Sequence, residues 1–139
     1  MLQTLFVLLI SFSFIHSIHG QKTAPELLKQ AVICSEAGCL KDAIELCNQA
    51  IALSPKYELA FFQRAIAHEL LGNFNRAIID YSATIQLNSN NIQAHLNRGI
   101  LYKKQKKTWT AFRDFNVALS IDTVYTLSFL SGQAIKSLF

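Results

Sequence analysis

Apolar and small side chains recur along this chain with a step of 34 positions. Counting repeats from Ala24, Glu58 and Ile92, small residues fall at repeat position 8 (Ala31, Ala65, Gly99), position 20 (Ala43, Ala77, Ala111) and position 27 (Ala50, Thr84, Ala118). Larger ones fall at position 4 (Leu27, Phe61, His95), position 24 (Cys47, Tyr81, Phe115) and position 28 (Ile51, Ile85, Leu119). A strict period of this length is the signature of stacked helical hairpins. Small residues belong where two antiparallel helices approach closely, and larger ones fill the gaps between helices and against the next repeat. The pattern predicts hairpins over 24–57, 58–91 and 92–125, followed by a C-terminal helix over 126–139.

The breaks in the pattern agree with this division. Gly38 and Gly72 supply the left-handed conformation that ends a helix. Ser54–Pro55 and the run Asn88–Ser89–Asn90–Asn91 separate one hairpin from the next. Thr23 and Glu26, with Pro25 between them, form a capping box with proline in the first turn, a credible start for the array. The third repeat departs from the others at its inner turn. It carries Lys106 where they carry glycine, and Trp109 one place late, so a reshaped turn is expected there.

The segments EAGCLKDAIELCNQAIALSP, ELLGNFNRAIIDYSATIQL and NRGILYKKQKKTWTAFRDFNVALSID resemble the tetratricopeptide repeat (TPR) family over residues 24–125. The resemblance implies an all-α, right-handed α-solenoid of three helical hairpins plus the C-terminal helix. It also implies that positions 2, 5, 6, 9, 12 and 13 of each repeat face a concave groove. Reading those positions makes Leu28, Val32, Leu59, Phe62, Gln63, Ile66, Leu96, Asn97 and Ile100 the expected partner-binding residues. Positions 5 and 9 are apolar in every repeat, as befits a site for an apolar segment of another protein. The family's two-carboxylate clamp for acidic C-terminal tails of Hsp70 and Hsp90 needs basic residues. At the matching places stand Leu28, Val32, Gln63, Gln93 and Asn97, so the charge-assisted bonds of that clamp are not expected. A weaker similarity, in AFFQRA, IQL and HLNRGILYKKQKK, is to the first repeats of the endoplasmic-reticulum J-domain co-chaperone, without its J domain. It implies co-chaperone-like binding of apolar clients in a lumen.

Composition adds a compartment. Residues 1–20 hold no Lys, Arg, Asp or Glu, and Leu5–Ile15 is an apolar run about half the ~20 residues a membrane span needs. Residues 1–20 therefore read as a secretory signal peptide, with an uncleaved membrane anchor as the alternative. Such a signal places the chain in the endoplasmic-reticulum lumen or outside the cell, with no membrane span left after cleavage. In that setting Cys34 and Cys47, at positions 11 and 24 across one hairpin, either form a disulfide or serve as buried apolar residues. Cys39 at the turn is left as an odd thiol.

The net charge of +4 lies wholly after residue 20. Lys103, Lys104, Lys106 and Lys107, with Arg98 and Arg113 nearby, make a basic patch. It is either an anionic-polymer site or a solvated helix end favoured by the helix dipole. No nucleic acid partner is expected of a secreted chain. His68 and His95 fall at packing positions, no Cys/His spacing suggests a metal, and no cofactor motif or convergent set of catalytic groups occurs, so an enzyme is not expected. Residues 126–139 are apolar on more than one side, which makes self-association into a homo-oligomer a further expectation.

Overall fold

The computed structural model describes residues 22–136, with side chains up to residue 133. The signal-like segment 1–20 lies outside the described residues. Seven helices follow in order: α1 (Ala24–Glu36), α2 (Leu40–Leu53), α3 (Glu58–Leu70), α4 (Phe74–Leu87), α5 (Ile92–Lys104), α6 (Thr108–Ile121) and α7 (Thr123–Lys136). No strand occurs among the described residues. Helices α1–α2, α3–α4 and α5–α6 pair as hairpins, each hairpin packs on the next, and α7 leans on α6. This is an all-α solenoid.

Each helix begins and ends for a local reason. At the head of α1 the Glu26 carboxylate accepts the Thr23 backbone N–H at 2.8 Å and its hydroxyl at 3.0 Å, which holds the Glu26 carboxyl below its ordinary pKa. The three inner turns are closed alike. Gly38 donates to the Ser35 carbonyl and Cys39 to the Cys34 carbonyl; Gly72 and Asn73 repeat this on Glu69 and His68, and Lys106 and Lys107 on Lys103 and Tyr102. The third turn is therefore not reshaped, contrary to expectation. Lys106 takes φ 60°, close to the 81° and 76° of Gly38 and Gly72. The bonds it closes outweigh the crowding of its Cβ, a cost of about 1 kcal/mol.

The last connection does differ. Four residues separate α2 from α3 and α4 from α5, but only Asp122 separates α6 from α7. The Asp122 carboxylate accepts the Tyr125 N–H at 2.8 Å and so starts the new helix at once, three residues ahead of the expected 126.

The interior is built from alanines and a few large residues. Ala24, Leu27, Leu28, Ala31, Cys47, Ala50 and Ala60 form one cluster; Ala65, Ala77, Tyr81, Ala94 and Leu101 form a second, edged by Phe62, Ile66, Phe74, Ile78 and Ile85. In the third hairpin the close approach of the two helices needs glycine. A Cβ on Gly99 would stand 2.6 Å from Cε1 of Phe115, closer than carbon atoms pack.

A polar ladder crosses these apolar layers at the same 34-residue step. Arg64 donates from Nε and Nη2 to the two carboxylate oxygens of Asp80 (2.9 and 2.7 Å), and from Nη1 to Asn48 Oδ1 of the preceding hairpin (2.7 Å). Arg98 does likewise to Asp114 (2.9 and 2.6 Å) and to Ser82 Oγ (2.9 Å). His95 adds Nδ1 against Asp114 Oδ1 and Nε2 against the Ser89 carbonyl, both at 3.1 Å. The first repeat has no such rung, since Gln30 and Leu46 hold the equivalent places.

Two outcomes in urea denaturation follow. Asp114→Ala, which strands Arg98 and His95 together, is expected to cost about 2–3 kcal/mol, and Asp80→Ala less. Lys106→Gly is expected to gain roughly 0.5–1 kcal/mol by relieving the left-handed backbone. A loss of stability in that variant would show that the lysine side chain outweighs the strain.

Candidate functional site

The groove-facing positions sort into two depths. Val32, Phe62, Gln63, Ile66, Asn97 and Ile100 are partly exposed, and Leu59 on the first turn of α3 is 50 % exposed. Leu28 and Leu96, expected in the apolar floor, are instead buried. Leu28 belongs to the first core cluster, and Leu96 is fully enclosed. At position 5 only Phe62 keeps surface, so the accessible apolar row runs through position 9.

One residue that sequence reasoning left in the core shapes this surface. Tyr81 reaches from α4 between α3 and α5, where its hydroxyl donates to Glu69 Oε2 at 2.8 Å and accepts from Asn97 Nδ2 at 3.2 Å. Its ring lies 5.7 Å from that of Phe62 at an angle of 58°. Burial, with the Glu69 carboxylate beside it, drives the phenol pKa far up, so Tyr81 stays a neutral donor. The result is an apolar row with the polar side chains of Gln63, Asn97 and Glu69 among its neighbours. Only the hydroxyl at position 24, where the other repeats carry Cys47 and Phe115, could have signalled this.

Helix α7 extends the same side. Gln93 Nε2 donates to the Tyr125 hydroxyl at 3.1 Å, and the Tyr125 and Phe129 rings stack 6.5 Å apart. Thr126 is enclosed with its hydroxyl unpartnered, whereas Val124 and Leu127 are 80 % and 55 % exposed.

The four lysines are all exposed around the α5–α6 turn. Lys104 Nζ lies 4.9 Å above the Phe74 ring and Lys107 Nζ 5.9 Å from that of Tyr102. Arg98, expected near the patch, is spent on Asp114 and contributes no free charge to it. Elsewhere a cavity of about 300 Å³ opens between α2, α3 and α4, lined by Asn48, Arg64, His68, Arg76 and Asp80. His68 is buried there with Nδ1 unpartnered and its pKa depressed by desolvation. Among the described residues no group of three or more His, Cys, Asp or Glu side chains is placed to hold a metal ion.

No family model matches the chain. A human protein, tetratricopeptide repeat protein 36, is 33 % identical over 109 residues, which are 76 % of this chain and 57 % of that protein. The chain belongs to the tetratricopeptide repeat family. The TPR array spans little more than half of that relative's length. Its fold matches the Arabidopsis OM64 TPR domain with a TM-score of 0.74 at 18 % identity, over 84 % of this chain and 97 % of that one. It also matches the first TPR of Spaghetti (RPAP3) bound to HSP90 peptide SRMEEVD, with a TM-score of 0.73 at 20 % identity, over 84 % and 93 %.

The cysteines of the first TPR hairpin are free thiols, so the pairing of Cys34 with Cys47 is not made. Cys47 is fully enclosed in the first core, where burial pushes its thiol up to about 11, while Cys34 is half-buried and Cys39 exposed. Cys47 acts as a small apolar residue, the second of the two readings its position permitted. A thiol-reactive dye at neutral pH is expected to label Cys39 promptly and Cys47 only on unfolding. Prompt labelling of Cys47 in the folded chain would contradict its enclosure.

Proposed function

We propose that this TPR array is a protein–protein interaction module that holds an extended, largely apolar segment of another protein along α1, α3 and α5. The observation that carries the reading is the row Val32, Ile66 and Ile100, each partly exposed, with Leu59 and Phe62 beside it. Side-chain amides and a carboxylate at its edge, Gln63, Asn97 and Glu69, suit the backbone N–H and C=O groups of an extended segment. The RPAP3 neighbour was solved with an acidic HSP90 peptide, which supports a peptide partner in general. Lacking a basic residue at Leu28, Val32, Gln63, Gln93 and Asn97, this chain is read as favouring an apolar segment instead. No catalytic step is assigned to the array.

Leu59 and Val32 are the residues to change, because Phe62 also edges the second core. Leu59→Glu with Val32→Glu is expected to weaken binding of a reduced, carboxymethylated model polypeptide about tenfold or more, with helix content unchanged by circular dichroism. Unaltered binding, or tighter binding of the peptide SRMEEVD than of the apolar probe, would overturn the reading.

A further inference from the structure

We propose that the α5–α6 turn is a docking site for an anionic lipid surface, with Trp109 in the headgroup layer and the surrounding lysines against the lipid charges. Three observations meet at this turn.

The first is charge. Over repeat positions 12–22 the first repeat carries Glu36, Lys41, Asp42 and Glu45, and the second carries Glu69 and Arg76. The third carries Lys103, Lys104, Lys106, Lys107 and Arg113 with no acidic residue at all. The next carboxylate along the chain, Asp114, is enclosed and already occupied by Arg98 and His95. None of the four lysines forms an ion pair among the described residues. A cluster of this kind at an exposed turn attracts anionic lipid headgroups.

The second is the exposed aromatic. Trp109 is 81 % exposed on the first turn of α6. Lys41 and Asn75, at the same repeat position, are exposed too, so this exposure belongs to the position rather than to the end of the array. Phe112 stands edge-on to the indole at 6.0 Å and is 52 % exposed. Its counterparts Ile44 and Ile78 are partly buried, so its extra surface follows from its place at the end of the described hairpins. An indole beside basic residues is the composition of a membrane-interface anchor.

The third is backbone conformation. Lys106 sits at φ 60° where the other repeats use glycine, so the turn keeps a charged side chain at its tip in spite of strain. No helix among the described residues is long and apolar enough to cross a membrane. A nucleic acid is the less favoured ligand. Only one indole is offered, not a platform for successive bases.

Trp109 is the sole tryptophan of the chain, so its emission reports this position. The full chain is titrated with phosphatidylcholine vesicles, with and without phosphatidylserine. A blue shift confined to the phosphatidylserine vesicles and reversed by salt is expected. Lys103→Gln, and equally Lys106→Gly with its turn preserved, should each weaken the response about fivefold. An unshifted emission with phosphatidylserine, an equal shift on the neutral vesicle, or a response to an oligonucleotide or heparin alone would overturn the proposal.

Discussion

The bidentate arginine–aspartate rung is the interaction on which this solenoid depends for its spacing. The apolar contacts between alanine-rich helices are plentiful but indifferent to small slips along the helix axes. Arg64 and Arg98 remove that freedom. Each fork fixes the two helices of its own hairpin through Asp80 or Asp114, and its remaining amino group reaches Asn48 or Ser82 on the hairpin before it. One side chain thereby sets two interfaces at once. Partly buried charges need partners in fixed geometry, and a planar guanidinium supplies that geometry better than an ammonium.

With the helices held in register, the groove side acquires its detail. The small residues at position 8 let α4 approach α3 closely enough for Tyr81 to place its hydroxyl between Glu69 and Asn97. Groove chemistry is therefore set partly from the helix behind it. Packing against neighbouring helices buries Leu28 and Leu96, which thins the apolar floor to one row.

Much of the fold was legible because it is periodic. Ala31, Ala65 and Gly99 announce close helix approach whatever surrounds them, and Gly38 and Gly72 mark turns by a conformation that few other residues adopt cheaply. Lys106 shows the limit of that signal, since the bonds of the turn imposed the glycine conformation on a lysine. The candidate site was less legible. Repeat position alone predicts direction, not depth, so Leu28 and Leu96 were assigned to a surface that neighbouring helices cover. Arg64 with Asp80, and Arg98 with Asp114, are 16 residues apart, and each residue alone reads as ordinary helix surface charge.

The chain by itself determined the number of hairpins, the places where they turn and the concentration of lysine in the third turn, because each is written as a local residue choice repeated or broken every 34 positions. Only the tertiary structure decided which groove residues keep solvent contact, which charges cancel within the array, and that α7 starts three residues early behind Asp122. Those outcomes depend on what a neighbouring helix brings to the same point in space, and a residue carries no record of that in its own sequence position.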